Sequence, residues 1–212
     1  MFKKILVISP HLDDVILSGA DYLDQQQKLG HQIVLLTVFT DFAQQKKYQK
    51  MRHQEDEKAM SLFNFNFKYF NFTDAGFRSV YPDFKKIFSG KINKQDKILI
   101  LSLAKKLKKL SNFDEILLPL GVGKHVDHVI CKLLGEIIFK SKKIYYYLDW
   151  PYALLPKHWT KKLFYFFLKN RKQITWMSSK KKVAIFCYAS QIKSLFPLGF
   201  YHYPEVIISQ RQ

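Results

Sequence analysis

The stretch ILVISPHLDDVILSGADYL, residues 5–23, decides the fold, because an apolar run changes there into a polar cluster and then into a helical pattern. Residues 3–8 are short, apolar and β-branched, which predicts a buried parallel strand. Asp13 and Asp14 follow, and carboxylates suit a helix N-terminus, where free N–H groups and the helix dipole favour negative charge. Apolar residues then recur at helical spacing until Gly30, which predicts the end of the helix.

The same alternation of strand and helix continues along the chain. We expect strands over residues 32–40, 67–72, 113–120, 143–150 and 172–179, and helices over residues 48–63, 96–110, 125–139 and 181–196. This order predicts an α/β fold, a three-layer sandwich with a mostly parallel sheet and helices on both faces. No repeat, linker or change of composition divides the 212 residues, so we expect a single domain over residues 1–212. Residues 157–171 fit either a packed helix, which we favour, or an amphipathic element lying on a membrane.

The chain is strongly basic, with 35 Lys and Arg against 17 Asp and Glu and a formal net charge of +18. Such a surface favours anionic partners such as nucleic acid, phospholipid headgroups or phosphorylated small molecules, although scattered lysines are also typical of an ordinary solvated surface. Cys131 and Cys187 match no zinc or redox spacing, which predicts buried free thiols in a reducing compartment. The N-terminal apolar run is too short for a signal peptide, and no window approaches the roughly 20 apolar residues of a membrane span, so we expect a cytoplasmic protein.

Polar clusters follow the predicted strands, and ligands of open α/β sheets bind beyond the carboxyl ends of the strands. The clusters are His11, Asp13 and Asp14; Thr40 and Asp41; Asp74; and His125, Asp127 and His128. The first and last of them can converge and supply one carboxylate and two histidines to one ion. Three protein ligands leave a coordination position for water, which is typical of a catalytic zinc site. Fe²⁺ or another divalent metal accepts the same ligands.

The two adjacent aspartates need different roles, because neighbouring carboxylates repel unless a cation takes one of them. If Asp14 binds the metal, Asp13 is free to act as general base toward a bound water, whose pKa falls toward roughly 7. His125 can face the same pocket and, as imidazolium, stabilise an oxyanion or protonate a leaving amine. Each motif alone has an ordinary explanation, a surface histidine pair or a helix cap. Their joint placement after strands is what predicts a metal site.

At these residues the sequence resembles the PIG-L/LmbE-like deacetylase family. The family motif A/P-H-P-D-D-E corresponds to PHLDDV, residues 10–15, and its motif H-P-D-H corresponds to HVDH, residues 125–128. Four further segments resemble the family in the same order. The segment RHQEDEKAM resembles its R-x-x-E-x-x-x-A helix, and FTDAGFR resembles its D-x-G loop. The segment YYYLDWPYA resembles its Tyr-rich strand that ends in Pro-Tyr, and KKVAIFCYASQ resembles its K-x-x-A…Y-x-S-Q helix. The likeness therefore spans nearly the whole chain.

This resemblance implies a Rossmann-like domain and zinc-dependent hydrolysis of an N-acyl group, usually the N-acetyl group of a glucosamine unit in a glycoconjugate. It implies these roles: zinc ligands His11, Asp14 and His128; general base Asp13; oxyanion stabiliser or acid His125; and Asp127, which orients a histidine or caps its helix. Arg52 and Asp74 match family positions that hold sugar hydroxyls or an anionic aglycone. Their ordinary explanations are a surface salt bridge and a turn-forming aspartate.

The sequence departs from the family motifs at three positions. Leu12 and Val126 replace prolines and leave every expected ligand in place. Val15 replaces a glutamate, a change that bears on substrate specificity more than on catalysis.

The leading interpretation is a deacetylase that releases acetate and a free amino sugar from a small conjugate. We expect this conjugate to be anionic, because the basic surface would attract it. The alternatives are an amidase of the same fold that removes another acyl group, a binding protein with a vestigial site, and a basic nucleic-acid-binding protein. The intact set of five side chains argues against the second alternative, and the sequence contains no recognised nucleic-acid-binding module. Peripheral membrane contact is compatible with the charge, and the oligomeric state is left open.

Overall fold

The computed structural model describes residues 2–154, 165, 169–197, 199–200 and 202–209, and its centre is one seven-stranded sheet. The strands are β1 (Lys4–Ser9), β2 (Gln32–Asp41), β3 (Asn66–Thr73), β4 (Glu115–Pro119), β5 (Lys143–Tyr147), β6 (Arg171–Thr175) and β7 (Glu205–Ser209). They lie in the order β3-β2-β1-β4-β5-β7-β6. Strand β7 runs antiparallel to both of its neighbours, and the remaining pairs are parallel. The predicted mostly parallel sheet is therefore confirmed.

Helices flank this sheet and complete the predicted α/β fold. They are α1 (Asp14–Lys28), α2 (Lys46–Ser61), α3 (Phe84–Ile87), α4 (Lys97–Lys108), α5 (Val126–Ile138), α6 (Ser179–Phe186) and α7 (Ile192–Leu195). Among the helices that the structure describes, none combines the length and the apolar character needed to cross a bilayer. Both cysteines are free thiols as expected, but only Cys131 is buried, whereas Cys187 is partly exposed.

The strand order creates a crevice between β1 and β4. From β1 the chain proceeds outward to β2 and β3, and it then crosses back to place β4 on the other side of β1. The loops that follow β1 and β4 therefore leave the sheet in opposite directions, and a crevice opens beyond the two carboxyl ends. The two histidine-containing motifs of the sequence lie in these two loops.

Helix α1 is an interior helix, because its first eleven residues are all buried. A buried ion pair holds its centre: Lys181 Nζ lies 2.7 Å from Glu205 Oε1. Glu205 accepts hydrogen bonds from the backbone N–H groups of Asp21 at 2.9 Å and Tyr22 at 2.8 Å, and Lys181 donates to the carbonyl of Leu17 at 2.7 Å. Because these bonds satisfy both charges, the pair can be buried without an unpaired group. It ties α1 to α6 and β7.

The prediction of one helix over residues 181–196 is wrong, because the chain forms the separate helices α6 and α7 there. The break has a tertiary cause: Ser190 donates its backbone N–H and its hydroxyl to the carboxylate of Glu55, each at 2.7 Å, in place of continued helical bonding. Strand β7 was not expected, since it inserts antiparallel between β5 and β6. The interpretation of residues 157–171 falls largely on positions outside the described residues.

Candidate active site

A cavity of about 490 Å³ opens beyond the carboxyl ends of β1 and β4. Its polar lining includes His11, Asp13, Asp14, Arg52, Asp74 and His125, and its aromatic lining consists of Phe42, Tyr48, Phe77, Phe84, Phe88, Trp150 and Tyr152. The first, third and fourth polar clusters of the sequence thus lie together. The second does not join them, because Thr40 and Asp41 pair at 2.7 Å with Asn71 and Thr73 of the neighbouring strand.

Two histidines from distant parts of the chain meet at one carboxylate oxygen. Asp14 Oδ2 lies 3.2 Å from His11 Nδ1 and 3.2 Å from His128 Nε2. The same oxygen accepts a hydrogen bond from the backbone N–H of His11 at 2.8 Å, which fixes its position in the loop. The structure therefore brings the three predicted metal ligands together, with 5.3 Å between the two ring centroids.

The carboxylate of Asp149 orients His128. Asp149 Oδ1 lies 2.7 Å from His128 Nδ1, and Oδ2 accepts from the backbone N–H groups of Gly121 at 2.6 Å and Val122 at 3.0 Å. Since the Nδ1 position is held by a carboxylate, Nε2 is the nitrogen available to a ligand, an arrangement typical of metal-binding histidines. Nε2 is buried and makes no well-aligned hydrogen bond among the described residues, and Asp14 Oδ2 lies 3.2 Å away. A cation beside it would satisfy this nitrogen.

His11 has an equivalent partner in Asp127. His11 Nε2 lies 3.2 Å from Asp127 Oδ2 and 3.4 Å from Asp74 Oδ2. Asp127 also accepts from the backbone N–H of Ala75 at 2.9 Å and from Arg78 Nη2 at 2.7 Å. Burial opposes the ionisation of Asp127, but His11 and Arg78 outweigh it and lower its pKa to about 2. The sequence left two roles open for Asp127, to orient a histidine or to cap its helix, and this geometry corresponds to the first.

The donor atoms fit a divalent metal ion. Two imidazole nitrogens and one carboxylate oxygen suit zinc and several other divalent metals. Burial opposes the ionisation of Asp14, but the charges of His128 and His11 hold its pKa well below the usual range. Burial likewise opposes the charge on His128, whereas Asp14 and Asp149 raise its pKa to about 9. Without a metal, protonated histidines supply the positive charge that Asp14 needs; a divalent cation would supply that charge and release the protons.

The two predicted substrate-binding residues both line the cavity and both have protein partners. Arg52 is a buried residue of α2, not a surface one, and its guanidinium lies 3.1 Å from Asp13 Oδ2 and 3.3 Å from Glu55 Oε2. It therefore orients the carboxylate predicted to act as base. Asp74 accepts from the N–H of Gly76 at 2.7 Å and so caps a short 3₁₀ turn. Its turn-forming role and its place in the cavity are compatible.

His125 is the N-cap residue of α5 and faces the other two histidines. Its ring centroid lies 4.7 Å from that of His11 and 5.4 Å from that of His128. Burial, reinforced by the charge of His11, lowers the pKa of His125 well below its usual value. Its Nδ1 accepts the backbone N–H of Asp127 at 3.2 Å, so the neutral ring carries its proton on Nε2. The structure thus favours a neutral N–H donor over the imidazolium expected from the sequence.

The ring of Tyr152 closes one side of the cavity next to the histidines. Its centroid lies 5.5 Å from that of His128 and 5.6 Å from that of Phe88. The ring packs directly on the backbone of Gly123, where a Cβ atom would stand only 2.5 Å from Tyr152 Cγ. Glycine is therefore required at this position by close approach rather than by an unusual backbone angle.

Three residues of the site were missed by the sequence reasoning: Asp149, Arg78 and Tyr152. Asp149 follows the end of β5 by two residues, so the same rule of strand ends that selected Asp74 could have found it. Arg78 lies in the FTDAGFR segment but contacts Asp127, which the chain reaches only 49 residues later. Tyr152 lies in the YYYLDWPYA segment, whose resemblance to the family gave it no role.

Comparison with known proteins identifies the family. The family model described as GlcNAc-PI de-N-acetylase (PIG-L) matches residues 6–139, more than half of the chain. No curated protein sequence matches the chain at a significant level.

Solved structures of deacetylases share the fold. A deacetylase of the teicoplanin biosynthesis pathway, in its bog complex, has a TM-score of 0.72 and 18% identity, with 98% of each chain covered. The zinc-inhibited form of teicoplanin deacetylase Orf2 has a TM-score of 0.70 and 19% identity, again with 98% of each chain covered. The N,N'-diacetylchitobiose deacetylase from Pyrococcus horikoshii has a TM-score of 0.59 and 15% identity, covering 98% of this chain and 84% of that one. The chain therefore belongs to the GlcNAc-PI de-N-acetylase (PIG-L) family and is a hydrolase of amide bonds.

Proposed function

We propose that the chain is a divalent-metal-dependent N-deacetylase that acts on a GlcNAc-type amino sugar within a small conjugate, in glycoconjugate biosynthesis. One observation carries this proposal: Asp14 Oδ2 lies 3.2 Å from a nitrogen of both His11 and His128, in a cavity that Asp13 also lines. The similar deacetylases named above act on amino-sugar compounds, which supports the substrate class.

His11, Asp14 and His128 would hold the ion, with zinc as the first candidate and Fe²⁺ or another divalent metal as the second. When bound there, such an ion supplies a Lewis acid and lowers the pKa of its water. Asp127 and Asp149 orient the two imidazoles from behind, so that each presents one nitrogen to the ion.

Asp13 is the proposed general base. It is adjacent to Asp14 in the chain, and Arg52 holds its carboxylate at 3.1 Å. In this position Asp13 takes the proton of the attacking water as the water oxygen bonds to the acetamide carbon. Arg52 limits the rotation of the carboxylate and thereby keeps it directed toward the reacting water.

His125 is the proposed oxyanion donor. Its neutral ring offers an Nε2–H to the carbonyl oxygen as negative charge develops there. When the carbon–nitrogen bond breaks, Asp13 gives the departing amine the proton that it took from the water, and His125 keeps its own proton. The overall reaction adds one water across the amide bond and yields acetate and a free amine.

The aromatic rings of the cavity provide flat apolar surfaces for a sugar ring and its aglycone. Phe84 lines the cavity and is 77% exposed, so we propose that it contacts the aglycone. Among the described lining residues Arg52 is the only Lys or Arg, and it is paired with Asp13 and Glu55. The charge of +18 therefore lies outside the lining of the cavity, on a surface that would attract an anionic conjugate from solution.

To test this proposal, the protein is loaded with zinc, Fe²⁺, Co²⁺ or Mn²⁺ and incubated with a panel of N-acetylglucosamine conjugates that includes analogues with longer N-acyl groups. The released carboxylate is then measured. Asp13→Asn is expected to retain the metal and to lose about 10²- to 10⁴-fold in kcat. Asp114→Asn, at an exposed aspartate at the opposite end of β4, is the matched control and should retain activity. Equal turnover by Asp13→Asn and wild type would contradict the assignment of the base.

Salt dependence tests the proposed charge of the substrate. For an anionic conjugate kcat/KM should fall steeply as ionic strength rises, because screening weakens long-range attraction. A neutral conjugate of the same sugar should respond little. The same weak response for both conjugates would contradict electrostatic attraction.

A further inference from the structure

Asp56 is a buried carboxyl group behind the active site. It lies on α2, has no exposed surface, and is held between two tyrosine hydroxyls. Tyr69 Oη lies 2.7 Å from Asp56 Oδ2, and Tyr188 Oη lies 2.6 Å from Asp56 Oδ1. No cationic side chain forms an ion pair with Asp56 among the described residues, since Arg52, one turn earlier, is directed to Asp13 and Glu55.

Tyr188 connects this carboxyl group to the catalytic loop. Its hydroxyl also lies 3.0 Å from the carbonyl oxygen of Leu12, the residue between His11 and Asp13. The Tyr188 ring is buried, and the guanidinium of Arg52 lies 5.8 Å from its centroid. Tyr188 therefore contacts the loop that carries the predicted ligands and also the residue that orients the predicted base.

Counting protons decides the state of Asp56. The three contacts Tyr69–Asp56, Asp56–Tyr188 and Tyr188–Leu12 need three protons, and the two tyrosines supply only two. A carbonyl oxygen can only accept, so the proton of Tyr188 must point to Leu12 if that bond is formed. The bond between Asp56 and Tyr188 then needs a proton on Asp56. All three contacts are satisfied only when Asp56 is the neutral acid.

We propose that Asp56 is protonated in the folded protein and acts as a positioning residue: it donates to Tyr188, which in turn donates to Leu12 and fixes the loop from His11 to Asp13. When Asp56 ionises, the proton of Tyr188 turns to the carboxylate, and the carbonyl of Leu12 loses its donor. The catalytic consequence rests on the proposed function of that loop, whereas the protonation of Asp56 does not.

The surroundings of Asp56 agree with the neutral form. The titratable and charged groups that face it are Tyr69 on β3, Tyr188 after α6, Asp13 before α1 and Arg52 on α2 itself. Burial, aided by the charge of Asp13, raises the pKa of Asp56 to about 7, although the tyrosines and Arg52 act in the opposite direction. The loop would therefore lose this hydrogen bond at mildly alkaline pH.

Asp56→Asn is the informative variant, because an asparagine can accept from Tyr69 with its oxygen and donate to Tyr188 with its nitrogen at every pH. The infrared difference spectrum between wild type and Asp56→Asn should contain the carbonyl band of a protonated carboxylic acid below pH 6, and the band should vanish as the pH rises through about 7. The unfolding equilibrium constant of wild type, relative to Asp56→Asn, should increase up to about tenfold per pH unit between roughly pH 4 and 7. Absence of the band, or parallel stability profiles, would overturn the protonation of Asp56 whether or not the enzyme is active.

Activity tests the positioning role. In wild type kcat should fall by about fivefold as Asp56 ionises, the effect of one lost hydrogen bond, and Asp56→Asn should lack this fall. Tyr188→Phe should have the low kcat at all pH values, because it breaks the connection to Leu12. Tyr69→Phe is the matched control: it removes a hydroxyl that does not touch the loop, so kcat at low pH should be unchanged. Identical kcat profiles for wild type and Asp56→Asn would overturn the positioning role.

Discussion

Replacing Asp149 by asparagine should invert the tautomer of His128. Asp149 now faces His128 Nδ1 with one oxygen and two backbone N–H groups, of Gly121 and Val122, with the other. The single oxygen of an asparagine would remain with the two N–H donors, and its amide nitrogen would face His128 Nδ1. Two opposed donors repel, so the ring proton would move to Nε2, the nitrogen that must be free to bind a metal.

The expected cost in metal affinity follows from this geometry. Loss of the carboxylate partner of a metal-binding histidine usually weakens metal binding 10- to 100-fold, or about 1.4–2.7 kcal/mol. The Asp149→Asn variant should fall at the upper end of that range, since it removes the negative charge and also blocks the nitrogen. The overall fold should persist because the bonds to the two backbone N–H groups are kept.

Competition with a chromophoric chelator measures this effect directly as the Kd for zinc. Asp114→Asn is again the control, since it changes an exposed aspartate whose carboxylate accepts from the backbone N–H of Lys4 at 2.8 Å. If Asp149→Asn bound zinc within about twofold of wild type while folded, the assignment of His128 Nε2 as a metal-binding atom would be wrong.

Four further predictions concern the pH dependence of zinc binding, the pH dependence of stability, the cavity wall at Gly123 and the N-terminal cap of α6. Because the pKa of His128 is raised to about 9 and that of His11 is raised well above 6.5, zinc must displace a proton from each ring. The apparent Kd for zinc should therefore fall at least tenfold per pH unit between 6.5 and 9, and a flat competition titration would contradict this. The raised pKa of His128 stabilises the zinc-free protein fully below pH 6.5, so its free energy of unfolding should decrease as the pH rises toward 9. Gly123→Ala should displace the Tyr152 ring, lower kcat/KM and cost about 1–3 kcal/mol of stability, whereas unchanged kinetics would show that the ring does not shape the cavity. Ser178→Ala should lower the free energy of unfolding in denaturant by about 0.5–2 kcal/mol, because Ser178 caps α6 by accepting from Lys181 N–H at 3.0 Å. Ser179→Ala changes an exposed position, so its free energy of unfolding should stay within a few tenths of a kcal/mol of the wild-type value. Equal losses for the two variants would refute the cap.

The sequence was sufficient for the parts of the molecule that depend on local pattern. The apolar runs that became β1 to β5 were predicted within a few residues, and the placement of His11, Asp14 and His128 after β1 and β4 followed from the rule that ligands bind at strand ends. Asp149 obeys the same rule but was overlooked, because the predicted strand over residues 143–150 included it, whereas β5 ends at Tyr147.

The remaining features depend on contacts between distant residues. Strand β7 is a short apolar run whose antiparallel place between β5 and β6 is set by tertiary packing, and the segment between α6 and α7 is held by the bonds from Ser190 to Glu55. The neutral form of His125 depends on burial, which its position in the sequence does not reveal. Local propensity cannot specify such features, because the surrounding fold overrides it.

The buried pair of Lys181 and Glu205 makes the order of synthesis relevant to the site. Glu205 binds the backbone of Asp21 across 184 residues of chain, so the middle of the first helix lacks these partners until residue 205 has left the ribosome. Contacts so far apart in sequence raise the contact order of a fold, and closing such a long loop is entropically costly and slow. The helix that begins at Asp14 can therefore mature only late, and we expect the nascent chain to bind a metal only after residue 205 has emerged.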